Sequence, residues 1–94
     1  MADISVETSE TANGWEADVS VTEGNTGHFT VNLEREYYKE LTAGDYTPDK
    51  LIEASFEFLL DREPKESILS RFDLPVINRY FPEYERKIGE YLEK

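Results

Sequence analysis

The sequence predicts an α+β domain in which an antiparallel β-hairpin, with a third strand if the first residues join it, is followed by a compact array of about four short helices. Two observations lead to this fold class. Apolar residues alternate with polar ones before residue 35, and beyond it they recur at helical spacing. Prolines then divide the helical part into short segments. A length of 94 residues suffices for one such domain around a single core.

The hairpin is predicted for residues 14–34. Every second residue is apolar on both sides of a short loop: Trp15, Ala17, Val19 and Val21 before it, and Phe29, Val31 and Leu33 after it. This period of two is typical of strands that bury one face. The loop, Glu23-Gly24-Asn25-Thr26-Gly27, contains residues that tolerate positive φ, so the two strands are expected to be antiparallel neighbours.

Residues 1–13 are polar and are predicted to form either a flexible tail or an edge strand. Ile4 and Val6 alternate with polar neighbours, as an edge strand requires, whereas the many Glu, Thr and Ser residues are typical of a frayed terminus. The remaining residues, 14–94, are predicted to be a single domain with the hairpin in residues 14–34 and the helices in residues 35–93.

The helical part has recognisable start and stop signals. A short helix around Tyr37 is expected to end at Gly44. Thr47 as N-cap and Pro48 in the first turn predict a helix over residues 48–61, whose wide apolar stripe is expected to lie at the centre of the core. Three further helices are predicted to begin at Pro64, Pro75 and Pro82.

A proline-punctuated run near the carboxy terminus is the most distinctive part of the chain. It extends from Glu63 to Tyr84, and its segments Glu63–Leu69, Arg71–Ile77 and Tyr80–Tyr84 are the ones that resemble other proteins. With the preceding Phe56–Arg62, this run resembles a group of short uncharacterised prokaryotic proteins of similar length that have a variable β-rich start. The resemblance covers roughly residues 29–85. It implies a prokaryotic origin and a cytoplasmic location, and it transfers no activity and no catalytic residue.

The net charge of −11 is unevenly distributed. Residues 1–47 contain ten acids and two bases, whereas residues 48–94 contain eleven acids and eight bases. Binding to a nucleic-acid backbone is disfavoured, because it requires clustered Lys and Arg. A partner with a basic surface, a salt-rich cytoplasm or a simple need for solubility would each account for the acidity.

The predicted compartment is the cytoplasm. The chain contains no cysteine, and its start, Met1-Ala2-Asp3-Ile4, lacks the basic and apolar regions of a signal peptide. The longest apolar run, Phe58-Leu59-Leu60, is far shorter than a membrane span. No contact with a membrane is therefore expected.

Enzymatic chemistry finds little support, and the chain is predicted not to be an enzyme. His28 is the only histidine; next to Asn32 and Glu34 on one hairpin face, it has no second His or Cys with which to hold a metal or build a catalytic triad. Carboxylates recur in pairs: Glu34 with Glu36, Glu53 with Glu57, and Glu83 with Glu85. They are interpreted as solvated side chains, and no cofactor or phosphate-binding motif is present.

Two arrangements allow a DNA-associated regulator as the alternative function. The predicted helices Pro64–Phe72 and Pro75–Phe81 have helix-turn-helix spacing, but the second offers only Asn78 and Arg79 to a base. Strand Phe29–Leu33 followed by two helices resembles the ribbon–helix–helix order of small antitoxin-like regulators. Its outward residues would then read the major groove: Thr30, Asn32 and Glu34. They are polar but not basic.

The surplus of aromatic residues favours a protein–protein interaction module. One small core cannot bury all six tyrosines, and tyrosine is enriched at protein interfaces. The predicted interaction surface consists of Tyr37, Tyr38, Arg79, Tyr80, Tyr84 and Tyr91. It would meet either a partner protein or a second copy of the chain. The other interpretation of these tyrosines is that they cap the core with their hydroxyls in water.

Overall fold

The computed structural model describes residues 3–93, and it confirms the α+β class. In chain order its elements are β1 (Asp3–Glu10), β2 (Gly14–Glu23), β3 (Asn25–Glu34), α1 (Arg35–Thr42), α2 (Pro48–Leu60), a 3-10 turn at Lys65–Ser67, β4 (Arg71–Asp73), α3 (Val76–Tyr80) and α4 (Tyr84–Leu92). The four strands form one mixed sheet in the order β1-β2-β3-β4. Its first three strands are antiparallel, and β4 runs parallel to β3.

The predicted hairpin is β2 and β3. The ladder runs from Gly14 opposite Glu34 to Glu23 opposite Asn25, so only Gly24 lies between the strands. Gly24 has a φ of +85°, a conformation that glycine adopts at little cost. The strands thus continue through most of the loop that the sequence predicted. Residues 3–10 form β1, which pairs with β2 along its whole length; Met1 and Ala2 lie outside the described residues.

The core lies between the inner face of the sheet and α2. Helix α2 begins as predicted, with the Thr47 side chain accepting a hydrogen bond from the Lys50 amide at 3.1 Å. Seven residues of α2 are buried, and the Phe56 ring lies 5.2 Å from the Phe29 ring on β3 and 6.1 Å from the Phe72 ring on β4. The central position predicted for this helix is confirmed.

The helix predicted to begin at Pro64 is wrong. The chain makes one 3-10 turn and then enters β4, where Phe72 lies beside Val31 of β3. The physical reason is the second edge of β3, whose backbone groups need partners. The Thr30 amide donates to the Ser70 carbonyl at 2.8 Å, and the Leu74 amide donates to the Asn32 carbonyl at 3.0 Å.

This correction changes the two DNA-binding interpretations. Without a helix over residues 64–72, the predicted helix-turn-helix loses its first member. The ribbon–helix–helix order needs a strand that pairs with a second copy of itself, but β3 already has β2 on one side and β4 on the other. Neither arrangement therefore describes this fold.

Candidate functional site

The structure separates the six residues of the predicted interaction surface. Tyr84 is fully buried, so its assignment to that surface is wrong. Its ring packs edge-on against Phe58 of α2, with ring centroids 5.2 Å apart, and its hydroxyl lies 2.6 Å from the Ser55 hydroxyl. Burial raises the pKa of Tyr84 well above its ordinary value. Tyr84 is a core residue because α4 begins at Tyr84 and packs there against Ser55 and Phe58 of α2.

Tyr37 and Tyr38 on α1 are half-buried, and their hydroxyls have partners inside the protein. The Tyr37 hydroxyl donates to the Glu85 carboxylate at 2.9 Å, which joins α1 to α4. Burial, and then this hydrogen bond, raise the pKa of Tyr37. The Tyr38 hydroxyl donates to the Tyr46 carbonyl. Both tyrosines therefore lie at the edge of the core, as the other interpretation expected, but their hydroxyls bond to protein groups.

Tyr91 takes part in a group of contacts that join α4 to the end of α2. Its hydroxyl donates to the Asp61 carboxylate at 2.6 Å, and this bond raises the pKa of Tyr91. Arg62 lies 3.7 Å above the Phe58 ring, with a second contact to Glu83 at 3.1 Å. These contacts join α4 to the end of α2, and they engage the hydroxyl of Tyr91, the member of the predicted interaction surface among these residues.

Tyr80 and Arg79, at the end of α3, are the members that the structure leaves exposed. Tyr80 is 68% exposed, and Leu69 is 49% exposed. They are the exposed large hydrophobic residues within residues 3–93, and both line the same groove. This shared location is the main indication of a functional surface, because large side chains left in water next to each other mark binding sites more often than isolated ones do.

The apolar groove has a volume of about 310 Å³ and lies between the end of α2, the 3-10 turn, β4 and α3. Buried side chains form its floor: Leu59, Phe72 and Ile77. Leu69 and Tyr80 stand on its rim. A cavity of this size and composition accommodates one or two apolar side chains of a partner.

Glu63 is the charged residue among those lining the groove. Within residues 3–93 it makes no ion pair, since the neighbouring Arg62 is engaged by Glu83 and the nearby Lys65 by Glu66. An unpaired carboxylate beside an apolar surface would attract a Lys or Arg of whatever occupies the groove.

Leu69 and Glu63 were missed by the sequence reasoning. On the predicted helix, Ile68 and Leu69 would both have faced the core. The 3-10 turn instead buries Ile68 and leaves Leu69 in water. The sequence did contain a signal, since two adjacent apolar residues in a short segment between Pro64 and Arg71 cannot both face inward if the segment is extended.

Lys65 is buried at the start of the 3-10 turn, whose last residue, Ser67, lines the groove. Its ammonium donates to the Glu23 carbonyl at 3.2 Å and to the Glu66 carboxylate at 2.9 Å, and the second bond lowers the pKa of Glu66. Its carbon chain passes over Gly27, where an added Cβ would lie 3.5 Å from Lys65 Cδ. The 3-10 turn is thereby tied to the tip of the β2–β3 hairpin.

Replacing Lys65 with alanine is therefore expected to destabilise the protein by about 2 kcal/mol, whereas methionine, which keeps the buried carbon chain, should cost about 1 kcal/mol. Urea denaturation midpoints would measure both changes. Lys39→Ala, at an exposed position of α1, is the control and is expected to change stability by less than about 0.5 kcal/mol. Equal costs for alanine and methionine would show that the carbon chain contributes nothing.

Of the other residues considered for chemistry, His28, Asn32 and Glu34 lie on the outer face of the sheet. The remaining paired carboxylates lie on the helices or at their ends, and their interpretation as solvated is wrong for Glu57 of α2, because its Oε1 is buried without a hydrogen-bond partner among the described residues. His28 is exposed, and its Nδ1 lies 3.3 Å from the Ser20 hydroxyl directly opposite on β2. Within residues 3–93, no group of three or more His, Asp or Glu side chains is placed to hold a metal ion.

Comparisons with protein-family models, with curated proteins and with solved structures found no match to this chain. No helix within the described part of the chain is long and apolar enough to cross a membrane.

Proposed function

We propose that this protein is a non-enzymatic interaction module that binds a segment of a partner protein in the apolar groove. The observation that carries the proposal is the position of Leu69 and Tyr80, which expose large apolar surfaces on the rim of one groove. Leaving such surfaces in water forgoes roughly 25 cal/mol for each Å² that a partner would bury. Tyrosine rings at the centre of an interface are also frequent hot spots.

The partner segment has a definite chemistry. Its apolar side chains would occupy the floor formed by Leu59, Phe72 and Ile77, and a Lys or Arg in the same segment would pair with Glu63. A second copy of the chain is a poor occupant, because two molecules that each carry a charge of −11 repel each other on approach. A basic partner is instead attracted over the same distances. Since the chain lacks cysteine, we place this interaction in the cytoplasm.

Selection from a displayed library of random peptides would test the proposal. Enriched peptides are expected to combine apolar residues with Lys or Arg, and titration of the labelled protein should perturb the NMR signals of residues 67–81. Leu69→Ala and Tyr80→Ala should each weaken binding about tenfold or more. Glu63→Gln should weaken binding of peptides that contain a base and leave purely apolar peptides unaffected.

Arg79→Ala is the matched control, because Arg79 adjoins Tyr80 but does not line the groove. This variant should bind the selected peptides as the wild type does. The proposal is wrong if the selected peptides bind equally well to the Leu69 and Tyr80 variants, or if their signals map to another part of the molecule. Since Leu69 is about half exposed and Tyr80 is mostly exposed, the variants are expected to remain folded.

A further inference from the structure

Strand β1 leaves one edge of the sheet open. It is the outermost strand, and it pairs with β2 without interruption from Asp3 opposite Thr22 to Glu10 opposite Trp15. No other strand within residues 3–93 pairs with its free edge. In an antiparallel ladder every second residue directs its N–H and C=O away from the neighbouring strand, so the free edge of β1 presents a row of unpaired backbone groups.

The inner face of β1 is incompletely covered. Its apolar side chains, Ile4 and Val6, are only half-buried, whereas Val19 and Val21, opposite them on β2, are buried. Helix α2 reaches β1, where the Thr8 hydroxyl donates to the Asp49 carboxylate at 2.7 Å. An additional strand beside β1 would cover Ile4 and Val6, as β1 itself covers Val19 and Val21 of β2.

The charges along β1 determine which strand can be added. On the outer face Asp3 and Glu7 are exposed, and Glu7 lies directly opposite Asp18 of β2. Like charges in directly opposed positions repel, so a second copy of β1 would bring further carboxylates next to these. A strand with Lys or Arg at its outward positions would instead neutralise them.

We propose that the free edge of β1 binds an extended segment of another protein, in which apolar residues facing the core alternate with basic residues facing outward. The main-chain hydrogen bonds of the added strand supply affinity, and the acidic outer face selects the sequence. The acids on β1 disfavour pairing between copies of the chain without blocking a basic strand. This surface is separate from the apolar groove, which lies beyond β4 at the opposite edge of the sheet.

The test is a titration of the isotope-labelled protein with a synthetic peptide of alternating valine and lysine, matched to the eight residues of β1. Signals of residues 3–10 are expected to shift, and their amide hydrogens should exchange more slowly. A peptide of the same composition with all its lysines at one end should bind at least about tenfold more weakly, because it cannot keep one face apolar. Binding of both peptides with equal affinity would mean non-specific attraction to an acidic protein and would overturn the proposal.

Charge reversal at Glu7 provides a second test of the proposal. Glu7→Lys should weaken the valine–lysine peptide about tenfold and allow a valine–glutamate peptide to bind. Its unfolding midpoint should be at or above that of the wild type, since the repulsion with Asp18 becomes an attraction. Glu40→Lys, which makes the same change in net charge on α1, is the control and should leave the preference for lysine intact. If Glu7→Lys and Glu40→Lys weakened binding of the valine–lysine peptide equally, the edge of β1 would not be the binding surface.

Discussion

Replacing Gly14 with alanine is expected to destabilise the protein by about 3 kcal/mol or more. A Cβ at this position would lie 2.0 Å from the Leu33 carbonyl oxygen and 2.9 Å from the Arg35 nitrogen. Both are backbone atoms of the neighbouring chain segment, so no side-chain rotation relieves the clash. Gly14 is also fixed from the other side, because Thr11 exchanges two hydrogen bonds with it, at 2.8 Å and 3.1 Å.

Gly89→Ala provides the matched control for this prediction. Gly89 is exposed within α4, and a Cβ there meets no atom within 4 Å. Alanine is the better helix former, so this variant should be more stable than the wild type by about 0.5–1 kcal/mol. Urea denaturation of both variants would measure the two changes. A small cost at Gly14, similar in size to the change at Gly89, would contradict the close packing of β2 against the end of β3.

Replacing Tyr84 with alanine is expected to cost about 4 kcal/mol, because it removes a fully buried ring and leaves a cavity beside Phe58. A small domain has little more stability than this, so the variant should be partly unfolded near room temperature. Circular dichroism and the denaturation midpoint would measure the loss. A surface role for Tyr84 would instead predict a change below about 0.5 kcal/mol.

Tyr84→Phe separates the hydroxyl from the ring. The Ser55 hydroxyl has a single proton, which it donates to the Leu51 carbonyl at 2.7 Å, so the Tyr84 hydroxyl must donate to Ser55. Phenylalanine leaves Ser55 with one lone pair unused and should cost only about 1 kcal/mol.

The same variant should change the response to alkaline pH. Burial raises the pKa of Tyr84 in the folded state above its unfolded value of about 10. The buried, neutral Tyr84 therefore contributes fully to the free energy of unfolding below pH 10. As the pH rises further, Tyr84 ionises in the unfolded chain first, and the free energy of unfolding falls by up to about 1.4 kcal/mol per pH unit. Tyr84→Phe should lose less stability than the wild type above pH 10. Part of the dependence should remain, because the pKa of Tyr37 is raised as well.

The parts of the fold that the sequence predicted are those with a strong local pattern. Alternation from Trp15 to Leu33 indicates the hairpin, and the Thr47-Pro48 start with its apolar stripe indicates α2. Strand β4 could not be predicted in this way, because three residues contain no periodicity. It forms only because β3 has a second edge to fill, which is a property of the assembled sheet.

The candidate site was predicted only in part, for a related reason. Composition indicated that some tyrosines had to be exposed, and Tyr80 is one of them. Composition could not indicate which tyrosines are exposed, because exposure depends on how the helices pack against one another. Tyr84 lies at the contact of α4 with α2, whereas Tyr80 is the last residue of α3 and is exposed. The exposure of Leu69 could not be predicted either, because the chain forms a 3-10 turn where the sequence predicted a helix.

The parallel pairing of β3 with β4 has a consequence for the order of folding. Asn32 and Asp73 bond across this pair although they are 41 residues apart in the chain, so their contact closes a long loop, whereas the β2–β3 hairpin closes a very short one. The groove that β4 helps to form should therefore appear late, after the hairpin has folded. A partner that recognises the groove would bind the completed fold and not its intermediates, and it would stabilise the whole domain by mass action.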